Sequence, residues 1–303
     1  MKSRSRLTLG SRCLRLVPAG LLSVAALLAS PASSRAQEGA YCVSTTNTLM
    51  VFDTATPGSI TYSVPVTGLM PGENILAVDF RPKAPVGRLY GLGSSSRLYE
   101  IDRVTGVATA IGAGPFSPPL NGAEFGMDFN PTVDRIRIIS DLDQNLRAHP
   151  DLGTIVAVDS TLRYAAADPN FGEDPYCVAA AYTNSFDPPP ATTTLYDVET
   201  VFNLLATQSP PNNGVLNTVG ALGVNPSNVA AFDISGATGV AYAAFNNAAG
   251  VSSLYALDIS TGSATLLGAI AGGQTIRSMS IFGEPPPNAT EATTWGAIKG
   301  IYR

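Results

Sequence analysis

LAVDFRP (76–82) is the first of five short apolar segments that recur at nearly even spacing along this sequence. The other four are FGMDFNP (125–131), VAAAYTN (178–184), AAFDIS (230–235) and RSMSIF (277–282). When Asp79, Asp128, Ala181, Asp233 and Ser280 are aligned, successive copies lie 49, 53, 52 and 47 residues apart. A strand-built repeat of about fifty residues is typical of propeller blades. The sequence therefore predicts an all-β β-propeller.

The remainder of each repeat has the pattern of further strands joined by tight turns. In the second repeat, LAVDFRP is followed by GRLYGLGSS (87–95), RLYEIDR (97–103) and VATAIG (107–112). The hairpin between the last two contains Thr105-Gly106, where glycine accepts the positive φ that other residues resist. Helical periodicity is nearly absent. We expect about four strands in each blade.

The two ends of the repeat region complement each other. Residues 41–66 supply the later strands of a blade without a first strand, and residues 276–282 supply a first strand with nothing after it. The C-terminal strand is therefore predicted to complete the N-terminal blade, which would remove open sheet edges. Five blades follow, with six as the alternative if the long linkers 113–124 and 159–176 hide strands.

The N-terminal segment has the pattern of a secretory signal. Basic residues precede an apolar stretch at 16–29, and Ser34-Arg35-Ala36 places small residues where a signal peptidase cleaves. We predict a signal peptide at 1–36, a propeller domain at 37–282, and a Pro/Thr-rich linker and tail at 283–303 that ends in TWGAIKGIYR. The protein is expected to be exported, whether secreted, periplasmic or at the cell surface, with no transmembrane segment in the mature chain.

Charge limits the partners of the expected mature chain. Loss of residues 1–36 leaves 12 basic and 23 acidic residues, a net charge of −11. Such a surface repels nucleic acid and anionic lipid. An unidentified protein or small molecule is the expected partner.

Several catalytic chemistries lack the residues they need. His149 is the one histidine of the chain, and the sequence contains neither a GxSxG elbow nor a GxxxxGK[ST] loop. Serine-hydrolase triads, histidine-rich metal sites and phosphate-binding loops are therefore not indicated. The sequence requires no cofactor, although Ca²⁺ is a candidate ligand of carboxylates.

The aligned residues of the five apolar segments form the first candidate site. If these segments are the innermost strands of a closed ring, Asp79, Asp128, Asp233 and Ser280 converge on its axis. Three carboxylates there would repel one another unless a hard cation such as Ca²⁺ or water lay among them. In the alternative, each aspartate accepts backbone N–H bonds within its own blade.

A polar cluster in the third repeat is the second candidate. Its members are Asn130, Asp134, Arg135, Arg137, Asp141, Asn145 and Arg147. Its guanidinium groups could hold a carboxylate or sugar-acid ligand, or they could pair with neighbouring aspartates between blades. A separate candidate overlaps this cluster: Asp141, Asp143 and Asn145 have the D-x-D-x-N spacing of a calcium loop, but Leu146 and Leu152 replace the required glycine and glutamate. A polar hairpin turn is the alternative there.

Two cysteines follow the predicted signal peptide. Cys42 and Cys177 could form a disulfide, which is permitted outside the cytoplasm, or remain buried free thiols. They fall in the first and fourth repeats, which are not neighbours in a ring of five.

The repeat region resembles a known family. NPTVDRIR (130–137) and QNLR (144–147) are its most specific strings, and the likeness runs from about Asn47 to Phe282. These residues resemble the exported bacterial proteins grouped as domain of unknown function 4394. The resemblance implies a β-propeller-like repeat domain with no assigned activity or catalytic residues.

Three functional hypotheses follow. The leading one is a non-enzymatic propeller that binds a small ligand or a protein partner at one face of its ring. The first alternative is a Ca²⁺-dependent extracellular hydrolase or lyase acting on a sugar or lactone. The second is a purely structural module of the cell envelope.

Overall fold

The computed structural model describes Met1 and residues 38–85 and 87–283 of the chain. Its one helix is a short 3-10 turn, Pro211–Asn213. The other regular elements of this part are strands. In chain order they are β1 (Gly39–Ser44), β2 (Thr48–Asp53), β3 (Ile60–Pro65), β4 (Ile75–Arg81), β5 (Arg88–Gly93), β6 (Arg97–Ile101), β7 (Ala108–Ile111), β8 (Phe125–Asn130), β9 (Arg135–Ser140), β10 (Asn145–His149), β11 (Thr154–Val158), β12 (Arg163–Tyr164), β13 (Cys177–Tyr182), β14 (Leu195–Glu199), β15 (Leu204–Gln208), β16 (Val215–Ala221), β17 (Ala230–Ile234), β18 (Ala241–Asn246), β19 (Ser252–Leu257), β20 (Ala264–Ala269) and β21 (Ile276–Phe282).

These strands form five small sheets arranged as a ring, which confirms the predicted five-bladed propeller. In strand order the blades are β21-β1-β2-β3, β4-β5-β6-β7, β8-β9-β10-β11, β13-β14-β15-β16-β12 and β17-β18-β19-β20. The strands within each blade are antiparallel, except that β12 pairs in parallel with β16. The six-blade alternative is wrong. Residues 113–124 contain no strand, and the strand hidden in 159–176 is β12, which extends the fourth blade at its outer edge.

The C-terminal strand closes the ring, as the complementary ends of the repeat region predict. β21 pairs with β1, so that Tyr41 faces Ser280 and Cys42 faces Met279. The innermost strands β21, β4, β8, β13 and β17 then pack against one another in succession. Closure pairs the strand edges that an open set of blades would expose.

The core lies mainly between neighbouring blades. Tyr41 of the first blade meets Phe80 of the second edge to face, with ring centroids 5.0 Å apart. Tyr90 of the second blade meets Phe129 of the third at the same distance. Close approach near the axis requires glycine at position 126, because a Cβ there would lie 2.6 Å from the backbone nitrogen of Ala180. Burial is therefore shared among successive blade interfaces.

A buried arginine links the second blade to the third. Arg81, at the end of β4, is 6% exposed. Its guanidinium donates two hydrogen bonds to Asp134, at 2.8 and 2.5 Å, and two to Asp151, at 2.5 and 3.1 Å. Paired carboxylates on both sides satisfy a charge that burial would otherwise make costly.

Two further features of the chain concern its cysteines and its ends. Cys42 and Cys177 are both buried free thiols, so they do not form the disulfide that the sequence left open. The predicted signal peptide, apart from Met1, and the tail beyond Gly283 lie outside the described residues. No helix in the described part of the chain is long and apolar enough to cross a membrane.

Candidate functional site

Three aspartates meet at the centre of the ring. Asp79 lies on β4, Asp128 on β8 and Asp233 on β17, and they are 4%, 2% and 5% exposed. One carboxylate oxygen from each lies within 4.8 Å of the others. The three aspartates occupy the same position in their repeats. They lie close together because equivalent residues on the inner strands of a closed ring all approach its axis.

Each aspartate also joins its own blade to the following one. Asp79 Oδ2 accepts a hydrogen bond from the backbone N–H of Phe129 at 2.8 Å, and Asp233 Oδ2 accepts one from Ile281 at 2.5 Å. Asp128 accepts one from the backbone of Tyr182. Bonds within a single blade occur as well, from Phe80 to Asp79 and from Ile234 to Asp233. The carboxylates therefore act across blade interfaces in addition to the within-blade role considered from the sequence.

Ser280 occupies the same position in β21. Its hydroxyl lies 2.7 Å from Asp79 Oδ1 and 3.2 Å from Asp233 Oδ2, and it accepts a hydrogen bond from the backbone N–H of Phe80. Ala181, at the fifth position, has no polar side chain. Four of the five inner strands thus contribute a polar group to the axis.

The electrostatics of this cluster favour bound positive charge. Burial, followed by the neighbouring carboxylates, holds the pKa values of Asp79 and Asp128 well above their ordinary range. Burial raises the pKa of Asp233 to about 6. No described basic side chain forms an ion pair with any of the three. Asp128 Oδ1 is buried without a described hydrogen-bond partner. Protons or a cation must therefore compensate the carboxylates.

A cavity of about 290 Å³ opens above the cluster, where the inner strands end. Asp79 and Asp233 both line it, and Phe80, Phe186 and Phe282 contribute aromatic surface. The exposed side chain of Asp187 also lines the cavity. The one arginine of the lining, Arg81, is committed to Asp134 and Asp151. The cavity is therefore apolar along its walls and acidic at its base.

The polar cluster of the third repeat is divided among several structural roles. Asp134 pairs with Arg81. Asp141 Oδ1 accepts a hydrogen bond from the backbone N–H of Ala123 at 2.8 Å, and Asn130 Oδ1 accepts bonds from the backbone and hydroxyl of Thr132. The segment from Asp141 to Gln144 is the turn between β9 and β10, as the hairpin alternative predicted.

The remaining members of the cluster lie together beside the fourth blade. Arg137 is buried and donates hydrogen bonds to Asn145, Asp159 and Asn212 at 2.6–2.7 Å. Arg147 binds the carboxylate of Asp159 through two hydrogen bonds, at 2.8 and 2.9 Å. Arg135 lies with them at the edge of a second cavity.

Sequence reasoning missed Asp159 and Asp197. Asp159 lies in a linker and becomes recognisable only when Arg137 and Arg147 converge on it. Asp197, on β14, is 0% exposed, and neither of its carboxylate oxygens has a described partner. Burial raises its pKa to about 8, although the charge of Arg137 offsets part of that rise. An aspartate inside the apolar strand LYDVE was the available signal.

The fold and the matching residues together identify the family. The model of the family described as "Domain of unknown function (DUF4394)" matches residues 48–280. The chain belongs to this family. The resemblance noted from NPTVDRIR and QNLR is thereby confirmed. No curated protein matches the sequence of this family member.

Two solved structures are similar to this DUF4394 chain. One is a structural-genomics protein of unknown function from Bacteroides thetaiotaomicron VPI-5482, with 13% identity and a TM-score of 0.48 over 80% of this chain and 64% of that one. The other is an extracellular domain described as belonging to a hybrid two-component system of B. thetaiotaomicron, with 10% identity and a TM-score of 0.35 over 78% of this chain and 28% of that one. This chain spans less than two thirds of either of those chains.

Proposed function

We propose that this protein is an exported, non-enzymatic propeller that binds a small organic cation in the cavity at the mouth of its ring. The observation that supports this most directly is the placement of Asp79 and Asp233 at the base of a cavity of about 290 Å³. Neither carboxylate has a described basic partner. A ligand that brings its own positive charge would supply the missing compensation.

The walls of the cavity favour an organic cation. Phe80 and Phe282 lie with ring centroids 4.7 Å apart, and Phe186, also in the lining, is 44% exposed. The ring of Phe282 already stacks against the guanidinium of Arg103, with Cζ 4.7 Å from the ring centroid. Phe80 and Phe186 are therefore the rings that offer apolar contact and attraction for an ammonium group. A ligand with an aliphatic or aromatic body and one amine would place its body against the apolar walls and its amine beside the carboxylates of Asp79 and Asp233.

The propeller suits a binding role because its ring holds the site rigid. Side chains from β4, β17 and β21 line the cavity, and these strands are tied together by the bonds of Asp79, Asp233 and Ser280. A site formed before the ligand arrives loses little conformational entropy on binding. We therefore expect binding without a large rearrangement.

The proposal is tested with 2-phenylethylamine and its uncharged analogue 2-phenylethanol. Isothermal titration of the purified protein should show binding of the amine, and binding of the alcohol at least about tenfold weaker. Asp233→Asn should abolish that preference, whereas Glu173→Gln, which removes an exposed carboxylate, should leave it unchanged. Equal affinity for amine and alcohol, or no binding of either, would overturn the proposal. The second of these results would favour the purely structural module.

A second candidate is a hard cation such as Ca²⁺ held by the three axial aspartates, on which the hydrolase or lyase alternative depends. The orphaned Asp128 Oδ1, close to oxygens of Asp79 and Asp233, favours it. Carboxylate and hydroxyl oxygens are the ligands that Ca²⁺ prefers. Metal analysis of the purified protein and a Ca²⁺-dependent rise in melting temperature that EDTA reverses would support this candidate. A metal-free protein whose melting is insensitive to Ca²⁺ would exclude it.

A further inference from the structure

A second cavity lies between the third and fourth blades, separate from the axial aspartates. Its volume is about 210 Å³, and its lining includes Arg135, Arg147, Tyr182 and Val133. We call it the Arg135 cavity, and the cavity beside the axial aspartates the axial cavity. A third cavity shares Val133 with the Arg135 cavity and Phe186 with the axial cavity. The Arg135 cavity and the axial cavity therefore lie at the same end of the ring.

The Arg135 cavity carries excess positive charge. Three arginines line it, and Arg137 and Arg147 share the single carboxylate of Asp159. Arg135 donates one hydrogen bond to the backbone oxygen of Asp134 at 2.8 Å, and no described carboxylate pairs with it. Two of the three positive charges therefore lack a compensating anion, in a chain whose net charge is −5.

A buried hydroxyl adds a hydrogen-bond donor at the same place. Tyr182 is 1% exposed, and its oxygen accepts hydrogen bonds from Arg137, at 3.4 Å, and from the Asn130 side chain. No described residue accepts the proton of this hydroxyl. Because Tyr182 lines the cavity, the proton of its hydroxyl is available to a ligand there.

From this geometry we propose that the Arg135 cavity is a binding site for a small organic carboxylate, such as a sugar acid. Arg135 would receive the carboxylate through its uncommitted guanidinium N–H groups, and the Tyr182 hydroxyl would donate a further bond. Val133 and Pro211 supply apolar surface for the carbon body of the ligand, which an inorganic anion would leave uncovered.

This site is independent of the proposed cation site. Its lining contains none of Asp79, Asp128 and Asp233. Arg137 and Arg147 remain positioning residues, since Asp159 and the asparagines hold them in place. Arg135 is the residue with no such structural commitment, so its substitution should change binding without disturbing the fold.

The test compares D-galacturonate with D-galactose, which differs from it by a hydroxymethyl group in place of the carboxylate. We expect galacturonate to bind in isothermal titration at concentrations up to about 10 mM, and galactose to show no measurable binding. Arg135→Gln should weaken galacturonate binding about tenfold or more. Tyr182→Phe should weaken it several-fold. Arg97→Gln, a substitution on β6 of the second blade, is the matched control and should have no effect.

Different results would overturn the proposal in distinguishable ways. If Arg135→Gln binds galacturonate as the unmodified protein does, the cavity is not the site. If sulfate displaces galacturonate completely at equal concentration, the cavity is a general anion site and the organic carboxylate class is wrong. If neither galacturonate nor citrate binds, the site does not exist. In each case the binding of 2-phenylethylamine at the axial cavity would be unchanged. Failure of the carboxylate proposal can therefore be told apart from failure of the proposed cation-binding function.

Discussion

The hydroxyl of Ser280 lies 2.7 Å from Asp79 Oδ1, although 201 residues separate the two in the chain. Ser280 belongs to the C-terminal strand β21, and Asp79 belongs to the first strand of the second blade. The same hydroxyl accepts the backbone N–H of Phe80 at 3.1 Å. The seam of the ring is therefore closed at its centre by a side chain as well as by the pairing of β21 with β1.

Removing this hydroxyl should weaken the closure. Ser280 is buried, so Ser280→Ala leaves Asp79 without one of its donors, and we expect the free energy of unfolding to fall by about 1–2 kcal/mol. Urea denaturation measures the change. Ser59→Ala, an exposed serine in a turn of the first blade, should change it by less than about 0.5 kcal/mol. Equal stability of the two variants would show that the seam depends on strand pairing alone.

Arg81 should be a sensitive ionic position between the second and third blades. Arg81→Gln leaves Asp134 and Asp151 without their shared partner, and Asp134 is only 17% exposed. Asp134 would keep its contact with Lys83, and Asp151 would keep Arg88 at 3.9 Å and is half exposed. We therefore expect a loss of about 2 kcal/mol in the free energy of unfolding, below the cost of leaving a buried charge without any partner. Arg97 on β6 of the same blade has no described ion pair, so Arg97→Gln should cost far less. A loss below about 0.5 kcal/mol for Arg81→Gln would contradict this assignment.

Asp197 should make stability depend on pH. Its pKa of about 8 in the fold exceeds the ordinary value of 3.8 expected in the unfolded chain. Between these values the folded state holds one proton more than the unfolded state. The contribution of Asp197 is therefore fully present below about pH 4 and is lost as pH rises towards 8.

Asp197→Asn isolates this contribution, because the amide cannot ionise. We expect the variant to melt higher than the unmodified protein at pH 8 and to show a shallower decline of melting temperature between pH 5 and pH 8. At pH 4 the difference between the two proteins should be smallest. A decline of the same slope in both proteins would mean that other groups carry the pH dependence.

Asp128 should distinguish bound protons from a bound metal at the axis. In EDTA at pH 8, Asp128→Asn replaces one of three mutually repelling carboxylates with a neutral amide, so the melting temperature should rise. If Ca²⁺ occupies the cluster, the same variant in Ca²⁺ should instead melt lower than the unmodified protein. Glu173→Gln is the control and should leave the melting temperature unchanged both in EDTA and in Ca²⁺. A fall in melting temperature in EDTA would show that Asp128 stabilises the fold through its bond to Tyr182.

Much of the architecture could be predicted from five short segments. Because each blade repeats the same strand pattern, the spacing of LAVDFRP and its four counterparts predicts the number of blades. The complementary ends of the repeat region predict that β21 pairs with β1 and closes the ring. The meeting of Asp79, Asp128 and Asp233 also follows from repeat position, since equivalent residues of inner strands must approach one axis.

The partners of the other polar residues could not be obtained in this way. Arg81 meets Asp134 from 53 residues away, and Arg137 meets Asn212 from 75 residues away, through turns and linkers that differ in every repeat. The strand pattern recurs in every repeat, so it can be recognised in the sequence alone. Contacts between blades depend on the path of each unique loop and on the curvature of the closed ring, and these exist only once the whole chain has folded.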